Sequence, residues 1–269
     1  MTTTASGQQA RPRAAIAAKT LRTDRWWLQP LLTVLGLGAW VTYATVRVFQ
    51  HDNFWVAKYH YLTPFYSPCL TQRCADAGAA DLGHFLPNWW IIPDAAMTLP
   101  FLLLFRLTCY YYRKAYYRSF WLSPPACAVP DKHKTYSGET RFPLLFQNAH
   151  RWAFYAAFII SLFNTMDAVL AHHGADGHFG IGLGNIVLWL NVVMLWAYTL
   201  SCHSCRHIIG GRLKHFSQNP VRYKLWGFVS RLNGKHMQLA WTTLGTLALT
   251  DFYIMAVSAG WFSDLRIFN

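Results

Sequence analysis

The sequence predicts an all-α integral membrane protein, a five-transmembrane-helix up-and-down bundle with a cytoplasmic N-terminus and the C-terminus outside. Three observations predict it. Apolar residues make up 54% of the 269, and charged residues only 13%, well below the quarter usual in soluble domains. The 13 Trp, 14 Tyr and 18 Phe suit rings that anchor at both membrane interfaces. The basic residues, which give a formal charge of +13, alternate with apolar segments. Nucleic-acid binding needs them on one soluble surface, so no nucleic-acid partner is expected.

Five stretches can cross about 30 Å of hydrocarbon, which takes about 20 helical residues. They are Trp26–Phe49, Ile91–Tyr112, His150–His172, Leu183–His207 and His236–Gly260, in a membrane domain over residues 26–260. Pro93, Asp94, Pro100 and Arg106 interrupt the second; neighbouring helices can re-satisfy a backbone opened by proline. Residues 1–25 are expected as a cytoplasmic tail, polar and without the apolar core of a secretory signal. Residues 261–269 are expected as an outer C-terminal tail.

Lysine and arginine set the direction. Five lie in the N-terminal tail, seven in Arg113–Arg151 and seven in Arg206–Lys235. Only three lie between Arg47 and Trp90, and Arg266 alone follows the fifth span. The positive-inside rule then puts the N-terminus and both basic loops in the cytoplasm. The outer loop His51–Trp90 holds Cys69 and Cys74, whose short separation permits a disulfide without establishing it. No internal repeat is evident.

The chemistry concentrates in Ser201-Cys202-His203-Ser204-Cys205-Arg206-His207. Thiols and imidazoles are soft, redox-compatible metal ligands, and this segment ends the fourth span near the cytoplasmic face. On a continuous helix Cys202 and Cys205, three apart, share a side. His150 opens the third span and His236 the fifth, so an up-and-down bundle brings both to the depth of the cysteines. Two thiols and two imidazoles are the donor set of a Rieske-type 2Fe–2S centre; the same four are also a Cys₂His₂ zinc set. His203 and His207 are the alternates, on a stripe turned away from the cysteines. Arg106, Tyr110, Arg113, Trp152 and His207 are candidates for a quinone pocket near the same face, since polar groups at membrane depth are expensive. Asp167 and Asp251, near Asn164 and Asn191, form a candidate buried polar network or part of a proton route in the outer half.

Five spans, histidines at cytoplasmic helix ends, large cytoplasmic loops and the Cys202-His203-Ser204-Cys205 signature resemble the membrane-anchor, cytochrome b-like SdhC-type subunit of actinobacterial succinate dehydrogenase, in particular the mycobacterial type. That resemblance implies respiratory complex II in the bacterial plasma membrane. A flavoprotein subunit oxidises succinate, an iron–sulfur subunit relays electrons, and the anchor delivers them to a quinone (menaquinone or ubiquinone). It further implies a Rieske-type cluster in the anchor, carried here onto His150, Cys202, Cys205 and His236. Two rival readings stand beside it. One is a haem b anchor with two of His150, His203, His207 and His236 as axial ligands. The other is a membrane di-iron desaturase or hydroxylase using the His203-x-x-x-His207 spacing, which lacks the further histidine boxes of that class. A transporter or purely structural anchor is the non-enzymatic alternative.

Overall fold

A computed structural model describes residues 22–71, 74, 86, 87, 89–131, 133 and 144–269. Most of the expected N-terminal tail, much of the outer loop and part of the first basic loop lie outside the described residues.

The chain is mostly helical. The α-helices are α1 (Leu28–Gln50), α2 (Asp94–Leu107), α3 (Tyr110–Ser119), α4 (His150–Leu170), α5 (Leu183–Leu200), α6 (His203–Gly210), α7 (Pro220–Asn233) and α8 (His236–Ser258). Three helical stretches are long and apolar enough to cross a membrane: Leu28–Gln50, Leu145–Leu170 and Leu183–Leu200. The strands β1 (Trp55–Val56), β2 (Tyr61–Leu62), β3 (Ile181–Gly182) and β4 (Arg266–Phe268) form two small antiparallel ribbons, β1–β2 and β3–β4.

The long helices close a ring in chain order: α1 on α2, α2 on α4, α4 on α5, α5 on α8, and α8 back on α1. Ser161 meets Thr199 at 3.4 Å, and the Trp196 indole donates to the Thr165 hydroxyl at 2.8 Å, registering α4 against α5. Each helix shows many large apolar side chains on its outer surface, including Leu32 (58% exposed), Ile159 (51%) and Val193 (57%). That inverts the soluble pattern and suits a lipid surround.

Two expected spans are broken. The second ends at Leu107, and Cys109 takes an extended conformation (φ −63°, ψ 129°) before α3 begins. The fourth ends at Leu200, and Cys202 is likewise extended (φ −62°, ψ 141°) ahead of α6. Cys202 therefore lies outside the helix that carries Cys205, and the shared helical side expected for this pair does not arise. At the first break the Thr108 hydroxyl bonds back to the Leu104 carbonyl at 2.6 Å. At the second, the Ser201 hydroxyl bonds the Tyr198 carbonyl at 2.7 Å.

The end of the bundle where α2 and α5 begin is capped by polar contacts. Asp94, fully buried at the start of α2, accepts from the Leu70 and Thr71 amides at 2.6 and 3.0 Å and the Thr71 hydroxyl at 2.5 Å. It thus ties the outer loop to the bundle, and that loop carries a Cys69–Cys74 disulfide. Tyr61 donates to Asn185 and Asp264, while Asp264 also accepts from the Gly184 amide and Tyr253. Burial, and then the Asp264 carboxylate, push the Tyr61 phenol up from its ordinary value, so it remains a donor. At the end of α8, Gly260 (φ 73°) allows the Trp261 and Gly260 amides to reach back to Ala256 and Val257, a Schellman closure.

The expected network of Asp167, Asp251, Asn164 and Asn191 is not a single one. Asp251 pairs with Arg47 at 2.7 Å and accepts from Tyr43 at 2.5 Å. Asn164 donates instead to its own helix, at the Ile160 carbonyl.

Candidate metal centre

The two broken helices are built alike. In each, a hydroxyl residue precedes an extended cysteine: Thr108-Cys109 and Ser201-Cys202. The carbonyl exposed at each break is taken by a side-chain amide. Gln147 donates to the Thr108 carbonyl at 2.7 Å, and Asn233 donates to the Ser201 carbonyl at 2.7 Å. Three residues after each amide stands a histidine at the start of a long helix, His150 on α4 and His236 on α8.

The hydroxyls also orient the imidazoles. Thr108 Oγ1 already donates to the Leu104 carbonyl, so at 2.7 Å it accepts from His150 Nδ1. Ser201 Oγ donates to the Tyr198 carbonyl and accepts from His236 Nδ1 at 2.6 Å. With Nδ1 carrying the proton, each Nε2 presents a lone pair. Those lone pairs cross over: His150 Nε2 lies 3.2 Å from Cys202 Sγ, and His236 Nε2 lies 3.3 Å from Cys109 Sγ. Each half of the arrangement thus lends its histidine to the cysteine of the other.

Packing holds the rings in place. His150 stacks on Phe105 with the planes 1° apart, and His236 stacks on Tyr198 at 13°. Cys109 and Cys202, with Phe105 and Tyr198, belong to one buried cluster at this end of the bundle. The Ser204 amide donates to Cys202 Sγ at 3.3 Å at the start of α6, and Cys109 precedes the first turn of α3. Both sulfurs sit where helix N-termini favour negative charge. Among the described residues, no three or more His, Cys, Asp or Glu form one close group; the four donors stand as two sulfur–imidazole pairs.

Of the residues singled out from the sequence, His150, Cys202 and His236 converge here. Cys205 is buried in the same cluster, but no hydrogen bond joins it to either imidazole among the described residues. Cys109 takes that place. Its signal was present in the chain as a repeat, a hydroxyl-Cys pair followed downstream by an amide-x-x-His (Thr108-Cys109 with Gln147-x-x-His150, Ser201-Cys202 with Asn233-x-x-His236). The repeat is masked by unequal spacing and by the apparent continuity of the second span. His203 and His207 are exposed; His207 contacts Arg151.

A cleft of about 760 Å³ opens beside the imidazoles, lined by Cys109, His150 and His236 and by Tyr110, His203 and His207. Arg113 stacks over the Tyr110 ring at 4.4 Å. Arg106 lies deeper, bonded to the Tyr112 hydroxyl at 2.6 Å and placed over the Tyr198 ring at 4.9 Å. Trp152 is 72% exposed and lies outside the cleft lining.

Apolar helices able to cross a bilayer, ringed so that paired thiols and imidazoles meet at one end, define a helical membrane subunit with a soft-donor site. The profile described as actinobacterial succinate dehydrogenase subunit SdhC matches residues 28–260, and the chain belongs to that family. It is therefore a subunit of succinate dehydrogenase. A solved structure described as the Mycobacterium smegmatis Sdh1 complex in the apo form contains a chain 61% identical to this one, with a TM-score of 0.89. The match covers 98% of this chain and 100% of that one. No curated protein matches.

Proposed function

We propose that this chain is the five-span membrane anchor of a bacterial succinate:quinone oxidoreductase and carries a Rieske-type 2Fe–2S cluster on Cys109, Cys202, His150 and His236. The observation that carries the cluster is the crossed pair of contacts, with each Nδ1 held by a hydroxyl and each Nε2 turned to a thiol. A fixed tautomer with a second-shell partner is how proteins prepare a ligating histidine. The donor count, two thiols and two imidazoles, is that of a Rieske-type centre. Bound there, such a cluster supplies a one-electron relay of raised potential.

The chain's own residues do the rest. The stacked Phe105 and Tyr198 rings hold the two imidazoles toward the thiols. The cleft beside them is proposed as the quinone site. In it, Tyr110 and His207 line the walls, Arg113 steadies Tyr110, and Arg106 lies beneath as a buried cation. Trp152 serves better as an interfacial anchor. Succinate is oxidised on a flavoprotein partner, and an iron–sulfur partner docks at the basic cytoplasmic face that the Lys and Arg distribution assigns.

EPR of the dithionite-reduced complex, with iron and sulfide quantified, tests the reading. A Rieske-like signal is expected in the native complex, lost in Cys109→Ser and kept in Cys205→Ser. The opposite pattern restores Cys205 as the ligand. A stoichiometric haem α-band without that signal overturns the cluster altogether. A haem reading fits less well, because a thiol already faces each Nε2.

A further inference from the structure

A strongly cationic cleft remains outside this site. It measures about 360 Å³ and lies where α1 begins, between α1, α3 and the segment around Cys127. Arg22, Arg25, Lys114 and Arg118 line it, with Asp24 as the acidic residue among them. Arg22 is bound to Asp24 and donates to the Cys127 carbonyl at 2.7 Å, which accounts for the one negative charge. Among the described residues, the side chains of Arg25, Lys114 and Arg118 form no hydrogen bond or ion pair. Three uncompensated cations around one cleft repel each other and favour an anion between them.

The depth of the cleft identifies the anion. Trp26 forms part of its wall, two residues ahead of a helix able to cross a membrane, as expected at a headgroup boundary. Next to Gln29 and one turn further along α1, Leu32 is 58% exposed. A ligand here meets cations at one end and a hydrocarbon-facing surface at the other. Residues 1–21 contain Arg11, Arg13 and Lys19 and no Asp or Glu.

We propose that this cleft binds the phosphate headgroup of an anionic phospholipid, whose acyl chains leave along the exposed Leu32 side of α1. Guanidinium forks match phosphate oxygens in pairs, and the Gln29 amide lines the same wall. Basic pockets between membrane helices on the cytoplasmic side suit such headgroups.

The test is native mass spectrometry of the complete detergent-purified complex, titrated with phosphatidylglycerol or cardiolipin. Phosphatidylcholine is the zwitterionic control and inorganic phosphate the competitor. The anionic lipids should bind, phosphatidylcholine should not, and millimolar phosphate should fail to displace them. Each cation near a membrane surface is worth about a fivefold change in affinity, so Arg25→Gln with Arg118→Gln should weaken binding about 25-fold. Arg118→Gln alone should give about fivefold, which keeps the test available if the double variant does not accumulate. The cluster EPR signal should be unchanged in either, since neither residue touches the donor site. Equal binding of phosphatidylcholine, or unweakened binding by the variants, sinks the proposal. Displacement by inorganic phosphate makes it a free-phosphate site instead. Loss of the iron–sulfur subunit from the variants shows that an acidic protein surface fills the cleft.

Discussion

Thr108 and Ser201 each spend one hydroxyl on two tasks: the proton goes to a carbonyl one turn back, and a lone pair accepts from a histidine. Their removal leaves all four proposed ligands in place and frees the imidazoles to rotate or change tautomer. Thr108→Val or Ser201→Ala is therefore expected to lower cluster affinity about 10–100-fold, read as iron and sulfide per complex after dialysis against a chelator. Unchanged occupancy in both variants means that the hydroxyls do not orient the rings. Tyr110 offers a separate reading of the cleft. Tyr110→Ala should raise the KM for quinone about tenfold or more, the cost of losing one well-packed aromatic contact of about 1.5 kcal/mol, and leave the EPR signal intact. An unaltered KM moves the quinone elsewhere.

The helices matter here as much for where they stop as for where they run. An unbroken α5 fixes its side chains at helical angles, so a cysteine at its end points where the helix dictates. Breaking it at Ser201–Cys202 frees Cys202 to meet His150 from another element. The same logic places Cys109 against His236. Farther out, α1 and α8 are clamped by the Arg47–Asp251 pair, 2% and 0% exposed, with Arg47 also bonded to Gln50. Removing one partner of such a buried pair typically costs about 3–5 kcal/mol. Asp251→Ala should therefore markedly lower the thermal unfolding midpoint of the purified complex, and Arg47→Met with Asp251→Leu should recover most of it. At the cap, Gly184 packs so closely under Tyr61 that an added Cβ overlaps the ring. Gly184→Ala should thus destabilise the complex in the same assay, whereas Gly245→Ala, with open space around it, should not.

For the whole molecule, the proposed five crossings would put the termini on opposite sides. A C-terminal tag is expected to resist protease in inside-out vesicles, while an N-terminal tag is cut; cleavage of both contradicts the five-span topology. The C-terminal residues are more than a tail, because β4 pairs with β3 and Asp264 closes the cap over α5. The ring follows chain order, and of its connections only the one from α4 to α5, Leu170 to Leu183, is short. It also brings the starts of α4 and α8 beside the breaks after α2 and α5, so one end of the bundle collects donors from four elements.

The sequence by itself determined the helical membrane class, the membership of the ring and three of the four proposed donors. Apolar length and charge asymmetry are properties of the chain that need no packing to be read. His150 and His236 were legible because helix starts at one depth follow from topology alone. The proposed fourth donor rests on tertiary structure. Cys109 lies inside an apolar run that reads as continuous helix, and Cys205 sits at the spacing that favours pairing on one. Which thiol faces an imidazole depends on where the helix stops and which distant amide, Gln147 or Asn233, satisfies the freed carbonyl. Those partners lie more than thirty residues away in the chain, and only the closed bundle brings them together.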